Sequence, residues 1–151
     1  MRKTLFATVI STLALLPLSS HAAEWVRYSI NSSEKEINLY ERSNIRCKGD
    51  LCAGWIATVN IHSKKGYDLT LLYEQVDCTT YALKDLSEDD YLRGKKVKSW
   101  AVEDKFVNYP PDTRGFNMAR AICEQPKNFV YKGSIFDMVP RIQADLREEL
   151  K

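Results

Sequence analysis

The clearest regularity in the chain is an alternation of apolar and polar positions, which gives way to helical spacing towards the C-terminus. "AGWIATVNI" places Ala53, Trp55, Ala57, Val59 and Ile61 at every second position, the pattern of a strand with one buried face. "WVRYSI" does the same with Val26, Tyr28 and Ile30. "YDLTLLYEQVDC" starts with Tyr67, Leu69, Leu71 and Tyr73 in phase and ends with Val76 and Cys78 in the other. That switch predicts a twist or bulge near Glu74. "TTYALKDL" and "KVKSWAV" are weaker strands, separated by "SEDDYLRGKK", which reads as a loop. Consecutive strands joined by short turns, such as Lys64-Lys65-Gly66, argue for an antiparallel meander.

The period changes at "NYPPDTRGFNMARAICE". Two prolines stop the preceding strand, and Asp112 is placed to cap a helix beginning at Thr113. Phe116, Ala119, Ile122 and Cys123 then recur at helical spacing. A one-faced sheet needs a cover, and this helix is the expected one. In the tail, "FVY" predicts a short edge strand, with Ser134 or Asp137 available as a cap and Pro140 in the first turn of a second helix. Ile142, Leu146 and Leu150 stack along that helix at four-residue spacing. Two destinations follow for the stripe: its own sheet, or a partner or second copy. The expected fold is therefore α+β, an antiparallel meander of about five or six strands packed by one disulfide-tethered helix, plus a C-terminal amphipathic helix.

Composition changes the picture at the N-terminus. "MRKTLFATVISTLALLPLSSHAAEW" has a basic start (Arg2, Lys3), an apolar run and small residues at Ser20, Ala22 and Ala23, the pattern of a cleaved signal peptide. The run is short of the roughly 20 residues a spanning helix needs. Residues 1–22 are the expected leader, cleaved after Ala22 or one residue later, with a domain over 23–127 and an extension over 128–151. The first cysteine is Cys47, so no residue near the new terminus could take a lipid anchor. The expected location is outside the cytoplasm: periplasm, outer surface or secreted. The chain has 22 Lys+Arg and 20 Asp+Glu. Without Arg2 and Lys3 the two totals are equal, and the excess cation that drives nucleic-acid binding is gone.

Export gives the four cysteines a redox context. Cys47, Cys52, Cys78 and Cys123 are even in number, as disulfides require. Zinc is the rival, but only one pair is close and no histidine stands at ligand spacing. A redox dithiol would favour Cys-x-x-Cys beside a βαβ unit. "CKGDLC" has the turn formers Gly49 and Asp50 at its centre, so a hairpin there sets Cys47 opposite Cys52. Perfect register would put Trp55, Ala57 and Val59 beside Asn44, Arg42 and Tyr40, which predicts a bulge or a longer loop. Cys78 and Cys123 then form the second bridge. The chain-entropy model gives about 4 kcal/mol for this long loop and about 2 for the short one.

Candidate chemistry is sparse. His62 is the one histidine beyond the leader, and no nucleophile is tied to it by spacing. Asp85, Glu88, Asp89 and Asp90 are hard oxygen ligands, but they are bunched and lack the central glycine of a common calcium loop. No catalytic residue, cofactor or metal is assigned. Arg93, Lys95, Lys96 and Lys98 form either a partner-docking edge or a charge defence of an edge strand. Trp25, Trp55 and Trp100 are assigned to the core.

The ordered set "EWVRYS", "GWIATV", "LLYEQVDC", "DYLRGK", "VKSWAV" and "MARAIC" resembles the surface-adhesin protein E-like domain of Gram-negative bacteria, over about Glu24 to Glu124. The resemblance implies an antiparallel sheet packed by one helix, with the "VDC" and "AIC" cysteines bridged. The family's namesake is a lipid-anchored surface protein that binds host matrix and plasma proteins. This chain lacks the lipid-attachment cysteine, and none of the namesake's adhesive residues can be placed by motif. The functional expectation is a non-catalytic exported interaction module of the cell envelope with a protein partner. The alternatives are a small periplasmic inhibitor or immunity-type protein and, behind it, an envelope hydrolase.

Overall fold

The computed structural model describes residues 22–61, 66–102 and 104–151. Residues 1–21 of the expected leader and His62 lie outside the described residues. One antiparallel sheet of eight strands forms the middle layer: β1 (Glu24–Asn31), β2 (Glu36–Glu41), β3 (Arg46–Lys48), β4 (Leu51–Asn60), β5 (Leu69–Asp77), β6 (Ala82–Leu92), β7 (Lys95–Ser99) and β8 (Val130–Lys132). Their order is β7-β6-β5-β4-β2-β1-β8, with β3 paired to β4 off this path. Helix α1 (Arg114–Glu124) lies on one face and α2 (Ile135–Glu149) on the other. The α+β class stands, while the strand count exceeds the expected five or six. "EINLYE" and "RCK" pair as β2 and β3, and the acidic run forms the middle of β6 rather than a loop.

The sheet is buried on both faces, and this reassigns its cover. Ala57 and Val59 of β4, with Ile61 just beyond it, pack with Leu69 and Leu71 of β5 under Met138, Val139, Ile142 and Leu146 of α2. The alternate residues Ile56, Leu72 and Val76 pack under Met118, Ala119 and Ile122 of α1. The expected apolar face therefore belongs to α2, not α1. It also explains the change of phase in β5. That strand pairs with β4 in unbroken register from Leu69 to Asp77, and its two phases serve two cores. The irregularity at this level sits across the ladder, where Tyr73 opposes Ser87 and Glu74 opposes Asp85, leaving Leu86 bulged out of β6. A second bulge between Arg27 and Ser29 breaks the alternation of β1. Val26 and Tyr28 consequently pack on the α1 side and Ile30 on the α2 side.

The hairpin at Gly49-Asp50 is tight, with Cys47 opposite Cys52 and bonded to it. A 3₁₀ turn at Arg42–Asn44 then shifts the register, so that Tyr40 meets Ile56 and Ile37 meets Val59. This is the irregularity that matching apolar partners required. Cys78 is bonded to Cys123, joining the end of β5 to the last turn of α1. The α1 cap is Thr113, whose hydroxyl accepts from the Phe116 amide at 3.4 Å. Asp112 stands one residue earlier in the left-handed region (φ 65°). In α2 the helix starts at Ile135, and Pro140 is its sixth residue rather than in the first turn. A proline there forgoes one intrahelical bond, which the buried stripe of Ile142 and Leu146 (both 0% exposed) offsets.

Gly115 has its own requirement. A Cβ at this position would collide with the ring of Tyr109. Gly115→Ala should therefore lower stability by roughly 1–3 kcal/mol, as overpacking does; an unchanged urea midpoint would mean that the ring moves aside freely.

Candidate interaction surface

The outer border of β6 and β7 is where the expected docking residues lie. The turn at Arg93-Gly94 carries both residues at positive φ (50° and 76°) and returns the chain as β7, all five of whose residues are exposed. β7 pairs with β6 on one side and ends the sheet on the other. Its register shifts between Asp90 and Tyr91, which leaves Val97 as a bulge. Lysines and a bulge both discourage another strand from adding to an edge. A partner at this border must be held by side chains.

Those side chains are unusual for a surface. Among the described residues nine large hydrophobics are exposed, and five of them are Leu86, Val97, Trp100, Val102 and Phe106. Lys95 to Ser99 lie beside β6 in the β7 ladder, the Trp100 amide donates to the Glu88 carbonyl (2.9 Å), and Val107 bridges Leu83. Such a grouping on one border marks a contact surface more than scattered apolar residues do. Lys84 and Asp104 form an ion pair along the same stretch.

Trp100 is the best-defined element of this border. Its indole N–H donates to Asp90 Oδ2 at 2.6 Å, and Thr70 donates to Asp90 Oδ1 at 2.6 Å. Asp90 is 1% exposed, while Trp100 is 43% exposed. A buried carboxylate thus fixes the orientation of an exposed indole, and the Lys98 ammonium lies over its ring. On the other face of the border Lys96 donates to Asp89 Oδ2 (2.6 Å) and Ser99 to Asp89 Oδ1 (2.6 Å). These bonds, that from Lys96 foremost, hold the Asp89 carboxyl below its ordinary range and raise Lys96.

Inward from the border the α1 face carries a belt of buried polar groups. Asn38 accepts from Thr58 (2.9 Å), and Arg114 of α1 donates to Thr58 Oγ1 (2.7 Å) and lies 3.8 Å from Glu36. Glu74 is fully buried beside the acidic side chains of Asp85 and Glu88. Burial, then the charges of Asp85 and Glu88, push its pKa up to about 9, against a smaller lowering by Arg114. Glu88 is also raised, by burial first and then by Asp90 and Asp85.

The sequence-predicted sites divide accordingly. Arg93, Lys95, Lys96 and Lys98 gather at the β6–β7 border. Asp85, Glu88, Asp89 and Asp90 occupy a strand, where alternation sends Asp90 and Asp89 to opposite faces. Ile142 and Leu146 are fully buried and Leu150 is packed against the same core, so the α2 stripe is taken up by its own sheet. Trp25 is core as expected and Trp55 is half-buried against Tyr73 (ring centroids 4.8 Å apart). Trp100 is the correction: it follows β7 and is exposed, held to Asp90 rather than packed in the core. Sequence reasoning passed over Val97 because a bulge leaves no periodic signal.

No family model matches the chain, and no curated protein matches it. Among solved structures it is similar to protein E from non-typeable Haemophilus influenzae, at 14% identity and a TM-score of 0.47, covering 89% of this chain and 95% of that one. At that score the overlap assigns neither family nor function. No helix among the described residues is long and apolar enough to cross a membrane.

Proposed function

We propose that the chain is a non-catalytic protein-interaction module of the bacterial cell envelope, exported by its leader, which docks a partner at the β6–β7 border. The observation that carries this reading is Trp100, exposed yet held in one orientation by the buried Asp90. Tryptophan is enriched among residues that dominate binding energy, and a pre-fixed side chain loses less entropy on docking. Val97 and Phe106 are exposed along the same border, and the cations of β7 lie beside them. The disulfides suit an oxidising compartment, and the motif order resembling adhesin E-like domains points the same way. The inhibitor or immunity-type reading uses the same surface and differs only in the partner.

The test is affinity. A partner recovered from envelope extract should bind Trp100→Ala at least about thirtyfold more weakly, the loss expected of a hot-spot residue. Phe129→Ala, an equally exposed aromatic on the opposite border, should bind like the parent. Equal loss in both, or in neither, would refute the assignment of this surface.

A further inference from the structure

The end of β2, paired with the start of β1, holds a buried acid with an unmet acceptor. Glu41 is 2% exposed. Its Oε1 accepts from the backbone amides of Glu24 (3.3 Å) and Ser43 (3.1 Å), whereas Oε2 has no hydrogen-bond partner among the described residues. A buried carboxylate oxygen left without a donor costs free energy. The side-chain cations nearby are already engaged. Arg42 pairs with Glu24 at 2.6 Å, Lys132 with Glu24 at 3.4 Å, and Arg27 with Glu149 at 2.5 Å. Across the strand from α2, Asp145 accepts from the Tyr131 hydroxyl at 2.9 Å.

The chain itself supplies a donor. Ala23 directly precedes the amide that reaches Oε1, so its nitrogen lies within about 3.6 Å of chain from that amide. The Ala23 carbonyl accepts from the Gly133 amide at 2.9 Å, and its side chain packs against the α2-side core. Ala22 is exposed. The fold therefore takes hold at Ala23, and the Ala22–Ala23 peptide bond is the first one outside it. The sequence alone permits cleavage on either side of Ala23; cleavage after it would discard the residue that ties β1 to Gly133.

We propose that the exported chain is hydrolysed between Ala22 and Ala23 and that the new α-ammonium closes on the buried Glu41 carboxylate. Water breaks the peptide C–N bond, giving its oxygen to the Ala22 carboxylate and both its protons to the Ala23 nitrogen, which leaves as an ammonium at neutral pH. This inference rests on the export reading. It adds a role for the terminus: processing completes a buried ion pair that the unprocessed chain, with a neutral amide at this nitrogen, cannot form.

The experiment uses the full 151-residue chain, exported in a Gram-negative host. Intact mass should show a product beginning at Ala23. Its α-amine, reductively methylated with carbon-13 label to keep the charge, should titrate at least one unit above the ordinary value of about 7.7–8.0. Glu41→Gln should return it to that range and Glu41→Asp should keep part of the shift. If Glu41→Gln does not fold, the parent's titration decides alone: an unshifted amine overturns the ion pair. A product beginning at Glu24 overturns the cleavage site while leaving export intact. An uncleaved chain overturns both.

Discussion

Replacing Cys78 and Cys123 together by serine will lower the unfolding free energy by about 4 kcal/mol. The bridge spans 45 positions, and in the chain-entropy model a closed loop of that length restricts the unfolded ensemble by about that amount. Domains of this size hold only about 5–15 kcal/mol in total, so the variant should unfold cooperatively at a much lower denaturant concentration. It should retain secondary structure below that midpoint, because Ile122 and Ala119 remain buried against β4 and β5. Removing Cys47–Cys52 in the same way should cost about 2 kcal/mol, since its loop is short and the hairpin already has a tight turn. Equilibrium unfolding of the two double variants compares them directly. An equal effect of both would mean that the long bridge adds nothing beyond the contacts of α1.

The second large effect has the opposite sign. Glu74→Gln should stabilise the protein at neutral pH by about 3 kcal/mol. The folded carboxyl titrates near 9, against an ordinary value of 4.5. A raised carboxyl pKa means that folding favours the protonated form. The stability it permits is complete below pH 4.5 and is lost as pH rises to about 9, at about 1.4 kcal/mol per unit. Glutamine keeps the shape of the neutral acid and removes that loss. Thermal unfolding of the parent between pH 5 and 9 should show the decline, and the variant should flatten it. Parallel curves for the two proteins would remove Glu74 from the account.

What was legible from the sequence depended on whether a signal was local. The α2 stripe of Ile142, Leu146 and Leu150 was readable because helical spacing needs no partner to be seen, and the Gly49-Asp50 turn because those residues favour it wherever they occur. The two-sided burial of the sheet was not readable. Leu69 and Leu71 in one phase and Leu72 and Val76 in the other look like a broken strand until two helices are present to cover both faces. The acidic run of β6 reads as a loop for a similar reason: Asp90 is tolerated inside only because Thr70 and Trp100 bring it hydrogen bonds from elsewhere in the chain. The same bonds account for the misplacement of Trp100. Its hydropathy favours the core, and only the tertiary position of Asp90 turns it into an anchored surface residue.

If a partner meets this protein at the β6–β7 border, a crosslinking footprint should find it there. A photoreactive residue would be placed singly at Val97, Phe106, Leu51 or Phe129, all exposed in the structure, and the protein irradiated in intact cells. The account predicts one adduct of the same mass from Val97 and Phe106, abolished by Trp100→Ala, and none from Leu51 or Phe129. Adducts from Leu51 or Phe129 with none from Val97 and Phe106 would contradict it.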